Sequence, residues 1–345
     1  MTPIRLGLVG LNFGQHICQE LTSQPDLPVK LVRVCDLDAA KAQAMSEKFG
    51  VATAPSLDAL LADPEVDAIG LYVGPNGRAD FIRRIIRAGK DVMTTKPFEI
   101  DPQAALDVLY EAKALGRVVH INSPNPRPFG EIAIIKEWLD AGAIGRPTLA
   151  QSSVWCYYGP TPADGSWYDD PLRCPLAPIF RLGIYPLNGL LTLFGEPESV
   201  QVMHSRVETQ RPTPDNASAT IRFADGAIVN LLASFVVGGP DFYKNSITLC
   251  GTKGVIYYQT GAKPQPGAQE ANLILSTDAG VEQRTVTTHA GQYDWEFFAQ
   301  RVRGAAPEGE TTTPEQVAAA IRVMQAISKA EQTGQTVRVA APINR

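Results

Sequence analysis

The chain of 345 residues lacks most of the features that mark metal, membrane or nucleic-acid chemistry. It has five scattered cysteines, Cys18, Cys35, Cys156, Cys174 and Cys250, and no Cys-x-x-Cys pair. An odd, dispersed set reads as reduced thiols and a cytoplasmic setting, not as a disulfide framework. The four histidines, His16, His120, His204 and His289, show no metal-ligand spacing, so structural roles are expected and no metal. No apolar run approaches the ~20 residues needed to cross a bilayer. The start of the chain shows no secretory-signal pattern, because strand-like residues begin by Ile4. The net charge of −5 argues against a broad nucleic-acid surface. No internal repeat is visible. What remains is an ordinary globular composition, 44% hydrophobic and 19% charged, at a length that suits two domains.

The first part alternates strands and helices. Ile4–Val9 is a short apolar run and reads as a buried strand. Gly10-Leu11-Asn12-Phe13-Gly14 follows, then a helix to about Ser23, then the strand Val29–Cys35, which ends on Asp36. This order is the dinucleotide-binding arrangement. Glycines let the backbone approach a pyrophosphate, the helix N-terminus faces its charge, and the acid takes ribose hydroxyls. Asp36 stands 36 − 10 = 26 residues after Gly10, slightly beyond the usual gap of about 20. Asn12 interrupts the glycine pattern; it is expected to take positive φ in the turn, which asparagine tolerates. Ser56 caps a short helix, Val66–Val73 is a strand, and Pro75-Asn76 lies just past it, where an adenine or pyrophosphate would pass. Gly77–Ala88 is a helix stopped at Gly89, and Asp91–Thr94 is a strand running into Thr95-Lys96-Pro97. A lysine at a strand's C-terminal end lies on the ligand edge of a parallel sheet, and Pro97 restricts its backbone. Asp101-Pro102 opens a further helix and Val118–Ile121 is a last strand. A parallel sheet covered on both faces is predicted for residues 1–121.

From Asn122 the Pro-rich SPNPRPFG run breaks the alternation, and residues 122–345 read as a second domain. A helix spans about Gly130–Ala141. Consecutive strands then follow with short turns, including a hairpin at Asp225-Gly226, so a mostly antiparallel sheet is expected. Thr313-Pro314-Glu315-Gln316 opens a helix with Val317, Ile321, Met324 and Ile327 on one face. With helices on one side only, the other face of the sheet calls for a subunit contact, giving a homodimer or homotetramer.

The sequence resembles the glucose–fructose oxidoreductase / inositol dehydrogenase (Gfo/Idh/MocA) family over essentially the whole chain. The resemblance rests on GLNFG, Asp36, VDAIGLYVGPN, AGKDVMTTKP, AGAIGRP, RLGIYPLNGLLTLFGEP and ADGAIVNLLASF, in this order. It implies a Rossmann domain, an α+β domain with a large open-faced sheet, and a nicotinamide cofactor. It also implies redox chemistry at one hydroxyl or carbonyl of a sugar, polyol or related alcohol. The family's Glu-Lys-Pro becomes Thr95-Lys96-Pro97, so the glutamate that usually meets the nicotinamide ribose is a threonine. The family's Asp-x-Gly-x-His becomes Arg181-Leu182-Gly183-Ile184-Tyr185, and tyrosine is the proton donor in one subgroup. Asn188 stands where many members have aspartate. The usual glycine run before this helix reads Cys174-Pro175-Leu176-Ala177-Pro178.

The expected function is hydride transfer between nicotinamide and a sugar, polyol or sugar acid, with NAD favoured over NADP because Asp36 and Asp38 repel a 2′-phosphate. Lys96 and Tyr185 are the expected catalytic pair. Gly10, Leu11, Asn12, Phe13, Gly14, Asp36, Pro75, Asn76, Thr95, Lys96 and Pro97 are expected to hold the cofactor. Arg127, Trp167, Asp169, Arg181, Tyr185 and Asn188 are expected on the substrate. Arg181, one helical turn before Tyr185, is expected to lower its pKa or to hold a substrate carboxylate; solvent exposure or pairing with Asp169 or Asp170 is the alternative. Two other functions stay open: a cofactor-binding sensor without turnover, favoured by the lost Glu and Asp, and NAD-assisted lyase or hydrolase chemistry.

Overall fold

The computed structural model describes residues 2–128, 130–239, 242–260, 269–288, 293–305 and 309–343; His289 lies outside them. The chain forms two compact units, Met1–Pro126 with Tyr293–Pro314, and Arg127–Gln292 with Glu315–Arg345.

The first unit opens with β1 (Ile4–Val9), α1 (Leu11–Ser23), β2 (Val29–Cys35), α2 (Ala39–Phe49), β3 (Ala52–Thr53) and α3 (Leu57–Ala62). It continues with β4 (Ala68–Leu71), α4 (Arg78–Arg87), β5 (Asp91–Thr94), α5 (Pro102–Ala114) and β6 (Val119–Ile121). The strands lie in the order β3-β2-β1-β4-β5-β6 and every neighbouring pair is parallel. The central strands are buried on both faces, and so read as continuous apolar runs. Strand order reverses between β1 and β4, which places a ligand crevice at their C-terminal ends. Local signals set the helix starts: Ser56, Asp38 and Asp101 each accept backbone N–H groups of the helix that follows.

The second unit carries α6 (Gly130–Asp140), β7 (Pro147–Cys156), a π-helical turn at Ile179–Gly183 and α7 (Ile184–Phe194). Then come β8 (Pro197–Ser205), β9 (Asn216–Phe223), β10 (Ile228–Ser234), β11 (Tyr243–Gly251), β12 (Gly254–Thr260), β13 (Gln269–Thr277) and β14 (Gly280–Thr288). The helix α8 (Trp295–Val302) returns to the first unit, before α9 (Pro314–Thr333) and β15 (Val337–Arg338). The sheet order is β14-β13-β12-β11-β7-β10-β9-β8-β15. β7 and β10 pair in parallel and the other neighbours antiparallel. Period-two burial separates its faces: Ala150, Ser152 and Val154 are buried, whereas Leu149 and Gln151 are exposed. The β9–β10 hairpin turns at Gly226, with φ 92°.

In the first unit α8 lies against α1. The Trp295 indole N–H donates to Glu20 (2.9 Å), Asp294 caps the helix through Phe297 N–H (2.9 Å), and Arg303 donates to Thr2 O (3.0 Å). Trp295 and Phe298 are buried with Leu6, Leu8, Ile17 and Tyr72 in one apolar cluster.

Candidate active site

The β1–α1 turn needs one left-handed residue, and Gly10 supplies it with φ 89°. Any Cβ there would stand 2.8 Å from the Tyr72 carbonyl oxygen, so only glycine fits. Asn12 does not take positive φ as expected; it sits inside α1, because the helix starts directly after Gly10. The Asn12 side chain instead accepts from Lys41 Nζ (2.5 Å). Gly14 permits close helix–strand packing, since a Cβ would stand 2.6 Å from Leu8 Cδ2. The N-cap Gly10 has no side chain to cap α1, so the first-turn N–H groups beyond Leu11 suit an anion at the sheet edge. Asp36 is half-buried at the end of β2, where its Oδ2 accepts from Leu11 N–H (2.7 Å) and its Oδ1 from Asp38 N–H (3.0 Å). That places the acid beside the turn, a fit for a dinucleotide's pyrophosphate and adenosine ribose. Arg33 is turned to Asp63 (3.1 Å) and Glu65 (2.5 Å). Phe13 is exposed on the first turn, Pro75 is buried and Asn76 is exposed just past β4.

Two buried charges that sequence reasoning missed shape the Lys96 loop. The Arg78 guanidinium, 1% exposed, donates to the carbonyls of Thr95, Pro97 and Val73, and to Phe98 O at 3.2 Å. It gathers the loop after β5 onto the loop after β4. Glu99 accepts from Ala79 N–H (2.8 Å), Gly77 N–H (3.2 Å) and Ile100 N–H (2.8 Å) at the start of α4. Lys96 N–H donates to Asn122 Oδ1 (3.1 Å), tying β5 to β6. The half-buried Lys96 is therefore presented on a loop fixed from both sides. In the sequence GPNGRAD, Arg78 reads as one more basic residue of an amphipathic helix, and nothing there signals its burial.

In the second unit Leu176, in the segment that replaces the family's glycine run, has φ 46°. A leucine in this left-handed region is strained by roughly 1–2 kcal/mol. Burial and a hydrogen bond from its N–H to Glu331 of α9 (2.9 Å) hold it there. Arg181 lies on the π turn and Tyr185 and Asn188 on α7. The Arg181 guanidinium lies over Tyr168 (4.0 Å), Phe235 (4.8 Å) and Tyr158 (5.2 Å). Burial pushes the Tyr158 and Tyr168 phenols upward, and Arg181 opposes that shift in each. Asp169 is bound to Arg211 (2.7 Å) and accepts from Asp164 and Gly165 N–H (2.9 and 2.6 Å). Arg211 also holds Asp164 (2.9 Å) and depresses its pKa. This clamp fixes the loop carrying Trp167, whose ring lies 4.2 Å from Tyr168. Arg127 and Tyr185 are half-buried, and Asn188 is buried at 5%. Among the described residues no group of three His, Cys, Asp or Glu is arranged to hold a metal ion, and no helix is long and apolar enough to cross a membrane.

Comparison with known proteins agrees with this architecture. Residues 4–123 match the oxidoreductase family with an NAD-binding Rossmann fold, and residues 132–257 match the Gfo/Idh/MocA C-terminal domain. An uncharacterised oxidoreductase of Schizosaccharomyces pombe is 26% identical over 221 residues, 62% of this chain and 57% of that protein. The dTDP-3,4-didehydro-2,6-dideoxy-α-D-glucose 3-reductase of Streptomyces violaceoruber is 26% identical over 310 residues, 89% of this chain and 88% of the reductase. The crystal structure of an oxidoreductase domain protein from Kribbella flavida superposes with a TM-score of 0.77 at 18% identity, covering 99% of this chain and 100% of that one. Both halves of the chain match domains of one family, so the chain belongs to the Gfo/Idh/MocA family of NAD(P)-dependent oxidoreductases.

Proposed function

We propose that this oxidoreductase moves a hydride between nicotinamide and a hydroxyl or carbonyl carbon of a sugar, polyol or sugar acid. The observation that carries the reading is the Lys96 loop, fixed by Arg78, Glu99 and Asn122 at the same sheet edge as Gly10 and Asp36. When bound, the nicotinamide supplies the hydride acceptor or donor. Lys96 places a cation on the substrate oxygen as it gains negative charge. Tyr185 takes the hydroxyl proton in oxidation and returns it in reduction. Asp36 accepts from ribose hydroxyls and disfavours a 2′-phosphate, which supports NAD over NADP; Arg33, held by Asp63 and Glu65, is not turned to that ribose. A sugar-type substrate is supported by the Streptomyces violaceoruber relative, a reductase of a dTDP-linked keto sugar. Arg181, supported by three aromatic rings, favours a substrate with a carboxylate. The absence of any disulfide among the cysteines supports a cytoplasmic setting, and the exposed sheet face supports a homodimer or homotetramer. The test is incubation with NAD⁺ or NADP⁺ and a panel of sugars, polyols and sugar acids, following absorbance of the reduced cofactor. Turnover with a carbohydrate and tighter NADH than NADPH binding are expected. No reduction with any member of the panel sinks the catalytic reading, and tighter NADPH binding sinks the cofactor preference.

A further inference from the structure

The first unit also has a cavity at the edge of its sheet opposite the Gly10 turn. It holds about 660 Å³ and lies where β1, β4, β5 and β6 begin and where α4 and α8 end. All of its lining residues, from Thr2 to Arg303, belong to the first unit. Its volume is within the roughly 300–1,000 Å³ of small-molecule sites. The charged groups that line it are Arg5, Asp67, Lys90, Asp91, Arg117 and Arg303, four cations against two acids.

The two acids are answered within the protein. Arg5 donates to Asp67 through two N–H groups, at 2.7 and 3.0 Å. Asp91 is buried, accepts from Val118 N–H (2.7 Å) and lies 3.7 Å from Arg117. The remaining cations are turned to backbone carbonyls. The buried Lys90 donates to Asp63 O (2.9 Å) and Val66 O (2.5 Å), Arg117 to Gly89 O (2.9 Å) and Arg303 to Thr2 O (3.0 Å). Among the described residues neither Lys90 nor Arg303 has a carboxylate partner. Capping of strand starts and helix ends explains these bonds, and it leaves donors over, since an ammonium carries three N–H groups and a guanidinium five. Like charges collected around one cavity repel one another, a cost that a bound anion removes. We infer that this cavity binds a small organic polyanion, a molecule with several carboxylate or phosphate groups, held by the Arg117 and Arg303 guanidinium groups with the Lys90 charge behind them. The planar fork of arginine suits both kinds of group. The site stands at the far end of β5 (Asp91–Thr94) from the Lys96 loop, and it does not depend on the nicotinamide reading.

The experiment is calorimetric titration with citrate, which presents carboxylates, and with inorganic pyrophosphate, at constant ionic strength. Wild type is compared with Arg117→Gln/Arg303→Gln and with Arg303→Glu alone, which alters one exposed side chain and so keeps the fold. Wild type is expected to bind citrate or pyrophosphate, and each variant to bind it roughly tenfold more weakly or worse, as loss of charge-assisted hydrogen bonds implies. Affinity for NADH is expected to stay within about twofold, because neither arginine stands at the cofactor edge. Wild type that binds neither anion would overturn the site. Equal anion affinity in wild type and Arg303→Glu would overturn it too, leaving the cations as carbonyl caps and placing the anion elsewhere. So would a matching loss of NADH affinity, which would mean that the variants disturb the whole unit.

Discussion

Lys96 is fixed through its backbone and through its neighbours' carbonyls. Its N–H is held by Asn122, and Arg78 holds the carbonyls of Thr95 and Pro97 on either side. Such bonding limits where the ammonium can go before any substrate arrives, which is what a preorganised cation requires. The expected consequence is specific to turnover. Lys96→Ala lowers kcat by ~100-fold or more, the range seen on removal of other preorganised electrostatic groups, while the Kd for NADH changes by only a few-fold. Single-turnover rates and a fluorescence titration of NADH separate these quantities. Near-normal turnover in the variant would remove Lys96 from the chemistry. At this scale the sequence was only partly legible. Gly10, Asp36 and Lys96 sit at the element ends where the pattern places them. Arg78, Glu99 and Arg211 are charged residues that ordinarily mean solvent, and only the fold shows them to be internal struts.

Among the elements, those with strong periodicity were readable and those set by tertiary contacts were not. The strands β1, β2, β4 and β5 stand where continuous apolar runs predict them, and α9 buries Val317, Ile321, Met324 and Ile327 as their spacing implies. The π turn at Ile179–Gly183 has no signature of its own, because RLGIYPLNG fits an unbroken helix equally well. Leu176 shows the same limit: leucine gives no warning of a left-handed conformation that Glu331, distant in sequence, helps to hold. Nor does chain order reveal that α8, following seven consecutive strands, belongs to the first unit. That return has a consequence for acid stability. Phe297 and Phe298 of α8 cover His120 of β6, with ring centroids at 6.0 and 5.9 Å. Neither ring nitrogen of His120 has a partner. Burial, with a smaller contribution from the nearby Arg301 charge, pushes its pKa down from 6.5 to about 3. The folded protein thus keeps His120 neutral, while the unfolded chain takes up a proton below pH 6.5. His120 therefore adds no protonation cost above that pH, and between pH 6.5 and 3 it destabilises the fold by up to about 1.4 kcal/mol per unit. Urea midpoints for His120→Gln are expected to fall less steeply than wild type from pH 7 to pH 5. Parallel pH profiles for the two proteins would contradict a neutral, covered His120.

For the whole molecule, the unanswered demand is the bare face of the nine-stranded sheet. Leu149, Ile228 and Tyr257 on that face are 51%, 45% and 45% exposed. Register makes them part of continuous rows: Leu149 pairs with Ile228 on one side and Cys250 on the other, and Tyr257 lies opposite Thr248, itself opposite Gln151. Between the apolar members stand Gln151, Thr248 and Asn230, uncharged groups that pair readily across an interface. At ~4.8 Å between strands and ~3.3 Å per residue, the face is roughly 40 Å by 30 Å. That exceeds the ~800 Å² each partner contributes to a standard stable interface. A second copy of the chain, set across a two-fold axis, would present the same rows to this face, with Arg222 opposite Ile228 at one end, as an isologous contact requires. The expectation is a dimer or tetramer in sedimentation velocity at micromolar concentration. Leu149→Asp combined with Tyr257→Asp sets like charges against each other across the two-fold, and so shifts the protein to monomer. Both positions are exposed, so the melting point of the isolated chain should change little, apart from the stability contributed by association. Wild type that sediments as a monomer, or a double variant that stays associated, would move the subunit contact away from this sheet.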